Sequence, residues 1–197
     1  MMPLRARLAL MLAASFVLLG ALAVVLFAGG GTHAGGAGFD GSLPPDVPRA
    51  DFTLRDQDGK VARLSDYRGQ PVILTFMYST CRDTCPLTAY QIRGAMDQIG
   101  HDIPTLAISV DPKNDTELNA KRFLNRTGLT GRMRFLLGSE RQLAPIWDAY
   151  AIRPQGKGFD HSAYVLLVDG RGVRRVSWPT EKLTPEGLAH DLRLLGA

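Results

Sequence analysis

Cysteine is nearly absent from this chain: 197 residues contain two, Cys81 and Cys85. That scarcity excludes a disulfide-stapled scaffold. A structural zinc site wants four protein ligands, so two would have to come from histidine or carboxylate. Lipoprotein processing is not expected, because neither cysteine lies near the amino-terminal apolar segment. Histidine is almost as scarce, with His33, His101, His161 and His190 as the full set. Charge of one sign does not cluster. The 23 Lys+Arg and 19 Asp+Glu are mixed along the chain, so no basic face marks a nucleic-acid partner. Internal repeats are missing too. Hydrophobic residues make up 45%, which argues against disorder as the default.

What the chain does have begins with Leu8–Ala28, 21 residues without a charge, preceded by Arg5 and Arg7. A helix of that length spans roughly 30 Å, about one bilayer core. Residues 1–28 are therefore expected to form an N-terminal membrane anchor, with a cleaved signal peptide as the alternative. The two arginines would keep the N-terminus cytoplasmic and export the rest. This places a single-pass protein in the inner (cytoplasmic) membrane with its C-terminal domain on the periplasmic side. Residues 29–49 are rich in glycine and proline and read as a linker; His33 falls there. Residues 50–197 are expected to form one domain.

Within that domain, short strands are expected at Phe52–Leu54 and Val61–Leu64, joined by the hairpin signal Asp58-Gly59. Pro71–Tyr78 is a near-continuous apolar run suited to a buried central strand. Pro86 fits the first position of a following helix that ends near Ile99, with Leu87, Tyr90, Ala95 and Ile99 facing inward. Further strands are expected at Ile103–Val110, Arg132–Leu137, Ser162–Val168 and Val173–Trp178. Asp115 is expected to cap a helix ending near Gly128. Ser139 and Gln142 form a capping-box pattern, and Leu143, Ile146, Trp147 and Tyr150 follow at helical spacing. Pro145 conflicts with that helix and predicts a kink or a late start. Thr184 and Pro185 open a last helix. Strands alternating with helices, plus terminal hairpins, give an α/β domain with a mixed sheet.

The chemistry concentrates at Cys81 and Cys85, between a buried strand and a helix start. Free N–H groups and the helix dipole favour an anion there, and a thiolate is both the nucleophile and the metal ligand. Redox pairs of the common kind have two intervening residues. Here Arg82, Asp83 and Thr84 make three, which can close a disulfide or spread two sulfurs around one ion. Two sulfurs and one imidazole suit Cu(I), and an added oxygen ligand would suit Cu(II). The residues alone leave the histidine open. His101 follows a helix end, His190 sits on the last helix, and His161 precedes an apolar strand, where loops commonly carry function. Met77 is a possible soft ligand, but strand alternation assigns it to the core; Trp147 and Tyr150, at helical spacing, are expected in the core as well.

Three ordered motifs resemble one family. Thr75–Pro86 is similar to the Sco/SenC copper-chaperone signature, CxxxCP after an apolar strand. Ser109–Thr116 resembles that family's SVDP-x-x-DT segment, and Asp160-His161-Ser162 its DH[ST] motif. The resemblance covers roughly residues 50–196. It implies a thioredoxin-like fold, with Cys81, Cys85 and His161 as copper ligands and Asp160 orienting the histidine or adding an oxygen. It also implies a role in assembling the dinuclear copper centre of cytochrome c oxidase. The partners expected are then the copper-bearing oxidase subunit or another apo-copper protein, and a thiol reductant. Such a metallochaperone need not be an enzyme. The alternatives are a thiol–disulfide oxidoreductase cycling Cys81 and Cys85, a peroxidase of the peroxiredoxin type, and a purely structural disulfide.

Overall fold

The computed structural model describes residues 3, 38–42, 50–154 and 164–197. Apart from Pro3, all of these belong to one compact unit, Gly35–Ala197. Residues 8–28, expected to cross the membrane, lie outside the described residues. Among the described residues no helix is long and apolar enough to do so.

Among the described residues, seven strands form one mixed sheet and four helices cover it. The strands are β1 (Thr53–Asp56), β2 (Val61–Arg63), β3 (Val72–Met77), β4 (Thr105–Ser109), β5 (Arg134–Leu137), β6 (Tyr164–Val168) and β7 (Arg174–Pro179). Their spatial order is β2-β1-β5-β4-β3-β6-β7. The three central strands run parallel, as β5–β4 and β4–β3, and β1 and β6 flank them antiparallel. Every residue of β3 and of β4 is buried, which is why both read as continuous apolar runs rather than alternating ones.

The helices are α1 (Thr84–Ile99), α2 (Glu117–Thr127), α3 (Glu140–Ala149) and α4 (Pro185–Leu194). Strand alternation divides β3 between two core layers. Ile73 and Met77 pack with α1, α2 and α4 on one face, together with Cys81 and Cys85. Val72, Leu74 and Phe76 pack with α3 on the other, together with Trp147 and Tyr150. Met77, Trp147 and Tyr150 are thus core residues, as expected.

Four local expectations are corrected. Helix α1 starts at Thr84 rather than Pro86; Pro86 still falls in the first turn, where an N–H has no intrahelical partner. Its buried face is Cys85, Thr88, Ala89, Ile92, Ala95 and Met96. Leu87 and Tyr90 then lie well over 90° round the helix at about 100° per residue, and they are 58% and 40% exposed. Asp115 does not cap α2; the Thr116 hydroxyl does, accepting from the Asn119 N–H at 3.2 Å. Helix α3 begins directly after Ser139 and runs through Pro145 without a late start. The proline ring is exposed, so water can satisfy the freed carbonyl one turn back.

Residues 38–42, which composition assigns to the linker, lie against the domain. Phe39 is buried in the α1/α2/α4 layer. Ser42 and Ser177 exchange two backbone hydrogen bonds, at 3.0 and 2.8 Å. The buried Asp191 carboxylate accepts from the Asp40 and Gly41 N–H groups and from the Trp178 indole, at 2.7, 2.9 and 3.0 Å. No Cβ fits at Gly41: it would overlap Val176 and come within 2.6 Å of Trp178 Nε1.

Candidate functional site

The site is built where β3 stops. After Met77 the chain turns over Tyr78–Asp83 and enters α1, with the Cys81 N–H donating to the Tyr78 carbonyl at 3.2 Å. Asp83 precedes the helix but its side chain makes no capping hydrogen bond. The Cys81 sulfur fills that role: the Cys85 N–H donates to Cys81 Sγ at 3.3 Å. A sulfur at this position sees the positive end of the helix. Both cysteines are buried thiols, 4% and 2% exposed, yet they are not equivalent. Cys81 lines a groove of about 560 Å³, with Tyr78, Asp83, Thr84, Leu87 and Glu181 among its neighbours. Cys85 sits beneath, in the core layer.

Their acidities diverge accordingly. The hydrogen bond from the Cys85 thiol does most to bring the Cys81 thiol down, to about 5. Burial opposes this; the Asp83 and Cys85 N–H groups and the Tyr78 side chain add to it. Cys85 is pushed up, first by its bond to Cys81, then by burial and the Cys81 charge. At neutral pH the pair therefore shares one proton, held on Cys85, and Cys81 presents a thiolate to the groove.

Of the residues expected from sequence, the structure brings Cys81 and Cys85 together. Asp160 and His161 lie outside the described residues, as does His33. The chain resumes at Tyr164, whose carbonyl accepts from Thr75 Oγ1 on β3 at 3.1 Å. His101 is exposed beyond the end of α1. His190 turns to the docked segment 38–42, with Nδ1 3.1 Å from Asp191 Oδ1 and 3.4 Å from Asp40 Oδ2. These three side chains are close enough to hold an ion, but Asp191 is already satisfied by its protein donors and works as a clamp.

Three neighbours escaped the sequence reading. Tyr78, which closes the apolar run of β3, brings its side chain to the Cys81 sulfur. Arg126, from α2, donates to the Cys81 carbonyl at 3.4 Å. Asp115, expected at a helix cap, is a buried carboxylate holding Ser79 and Ser109. Arg126 and Asp115 are hidden by their distance from the cysteines in sequence; only the Ser109–Thr116 motif carries a signal, and it does not show which way Asp115 points.

Comparison with known proteins places this arrangement. The SCO1/SenC family profile matches residues 42–195. A SCO2-like protein of Rickettsia felis is 26% identical over 134 residues, 62% of this chain and 64% of the relative; the chain thus spans under two thirds of that relative's length. Among solved structures, Bradyrhizobium japonicum ScoI with copper bound is 27% identical with a TM-score of 0.60, covering 74% of this chain and 98% of that one. BsSco, described as a member of the Sco family of cytochrome c oxidase assembly proteins with a disulfide switch, is 22% identical with a TM-score of 0.66. It covers 77% of this chain and 95% of that one, and at that identity supports the fold alone. The mixed sheet flanked by helices is the thioredoxin-like fold of these Sco structures.

Proposed function

The chain belongs to the SCO1/SenC family, and from that premise we propose that it is a copper metallochaperone. Cys81, Cys85 and His161 hold the ion, and the protein passes it to the copper-bearing subunit of cytochrome c oxidase or to another apo-copper protein. One observation carries the reading: the Cys81 sulfur faces the groove at a helix N-terminus, accepting from the Cys85 N–H, with the Cys85 thiol directly beneath it. Soft sulfur ligands select Cu(I), and an imidazole with an oxygen lets the same set accept Cu(II). The DH[ST]-like motif Asp160-His161-Ser162 supports His161 as the third ligand, and the strand that follows it, β6, pairs with β3, which leads into the cysteine loop. The copper bound in Bradyrhizobium japonicum ScoI supports the choice of metal. Copper entry requires both sulfurs as thiolates, so loading releases the Cys85 proton. An incoming ligand from the recipient reaches the ion through the groove, on the Cys81 side. Residues 8–28 anchor the domain to the inner membrane on its exported face, where a thiol reductant keeps the pair reduced.

The same asymmetry supports a second reading, a thiol–disulfide oxidoreductase. The Cys81 thiolate attacks a partner disulfide and expels one partner thiolate. Cys85, giving its proton to that leaving group, then attacks Cys81, releasing the second partner sulfur as a thiolate and closing Cys81–Cys85. His161→Ala separates the two. A chaperone loses copper to a moderate competitor and keeps its dithiol chemistry; a pure reductase keeps its reducing activity and holds no copper for the substitution to remove. A wild-type domain that retains no copper against such a competitor contradicts the chaperone reading.

A further inference from the structure

Asp115 is 7% exposed, and three hydrogen-bond donors hold its carboxylate. Its Oδ1 accepts from the Ser79 N–H at 2.7 Å and the Ser79 hydroxyl at 2.5 Å. Its Oδ2 accepts from the Ser109 hydroxyl at 2.5 Å. Both serines are themselves buried. Ser109 is the last residue of β4 and pairs with Met77, the last of β3. Ser79 lies two residues before Cys81. One carboxylate thus ties the first turn of the cysteine loop to the end of the neighbouring strand. On its far side the Asp115 N–H donates to the Asp111 carbonyl at 2.9 Å, and the Trp147 indole donates to the Ser109 carbonyl at 3.0 Å. The tie is therefore anchored on α3 as well as on the sheet. Asp115 lies outside the helix it was expected to cap and does not line the groove that Cys81 faces. A carboxylate with no free acceptor role, buried against the cost of desolvation, calls for an explanation beyond helix capping.

We propose that Asp115 is a positioning residue for the copper site: by fixing Ser79 it sets the path of the Ser79–Asp83 loop, and so the approach of Cys81 Sγ to Cys85. This rests on the copper reading above but has a readout independent of it. Without the acceptor, two donors on Ser79 lose their partner inside the protein. The loop must then move outward to water, and the 3.3 Å contact between the Cys85 N–H and Cys81 Sγ loosens with it. Asn at 115 preserves the tie: its carbonyl oxygen accepts from Ser79 and its amide donates to the Ser109 hydroxyl, which can turn to accept.

The test compares wild type, Asp115→Ala, Asp115→Asn and Ser79→Ala in the soluble domain, each well below its own midpoint of unfolding. Two quantities are measured: copper dissociation against a competing chelator, and the Cys81–Cys85 dithiol–disulfide equilibrium against glutathione. Outer contacts that orient ligands are worth about 10–100-fold in metal affinity. Asp115→Ala is expected to weaken copper binding by at least about tenfold on that scale. It should also lower the disulfide equilibrium constant by several-fold, because the two thiols are less well held together. Asp115→Asn should restore both, and Ser79→Ala, which keeps the backbone donor, should shift both in the same direction by less. If Asp115→Ala proves unfolded, Ser79→Ala alone decides, and unchanged values in it overturn the proposal. A folded Asp115→Ala that is merely less heat-stable, with copper affinity and glutathione equilibrium unchanged, overturns it too. Should wild type bind no copper, the chaperone reading fails, and the glutathione equilibrium still judges the positioning role.

Discussion

Cys81 shows how much of a thiol's chemistry comes from its neighbours. Its sulfur is the acceptor for a thiol, two N–H groups and a tyrosine side chain, and it replaces the missing side-chain cap of α1. The pH consequence has a definite sign. With the thiol down at about 5, the thiolate fraction is already complete at neutral pH and is lost only as pH falls through that value. Alkylation of the reduced, metal-free domain should therefore go to Cys81, at a rate nearly flat from neutral pH upward and falling in mild acid. Mass spectrometry of the modified peptide reads this directly. A rate that climbs about tenfold per pH unit through neutrality, as for an ordinary thiol near 8.5, would contradict it. Tyr78→Phe removes one of the donors and should move the fall-off to higher pH. The residue scale was only partly legible in the sequence. Spacing and a helix start marked the cysteine pair, and the scarcity of histidine narrowed the third ligand to four. The inequality of the two cysteines depends on which sulfur faces the groove, and that needs the fold.

The strands were the most legible elements, because β3 and β4 are buried on both faces and their apolar runs have no competing pattern. Helix faces were harder. The inward set of α1 is fixed by its packing against the sheet and α4, and Leu87 and Tyr90 fall on the opposite side. Asp115 and Thr116 are both good caps by type; only the backbone decides which oxygen meets the helix and which meets Ser79. Capping by Thr116 gives a direct check. Thr116→Ala should cost about 1 kcal/mol of stability, the usual value of a lost cap, read as a shift in the urea midpoint at constant slope. Pro145 gives the opposite sign. Its ring is exposed and makes no demand on the core, while proline inside a helix costs about 3 kcal/mol relative to alanine. Pro145→Ala should raise stability, by less than that figure because the unfolded chain also gains freedom. A lowered midpoint would show that the proline is needed where it is.

For the molecule as a whole, the boundary of the domain is the feature composition misjudged. Glycine and proline between residues 29 and 49 suggest a free tether, yet residues 38–42 form a docked strap. Gly41 is there because Val176 and Trp178 leave no room for a side chain, and Asp191 is there to hold the strap's N–H groups. Burial of a phenylalanine is worth about 1.5–3 kcal/mol. A domain beginning at residue 36 should therefore be more stable than one beginning at residue 50 by an amount of that order. Equal midpoints of thermal unfolding would show that the strap contributes nothing. Asp191→Ala in the longer domain should remove the advantage and change the Trp178 fluorescence, since the indole loses its acceptor.

The central claim is that Cys81, Cys85 and His161 together hold copper. The most direct test is metal analysis of the soluble domain, purified reduced and anaerobic, loaded with Cu(I) and challenged with a moderate chelator, beside Cys81→Ala, Cys85→Ala and His161→Ala. The account predicts one copper ion retained per wild-type chain and a marked loss in each of the three variants. Equal copper in all four proteins would contradict it.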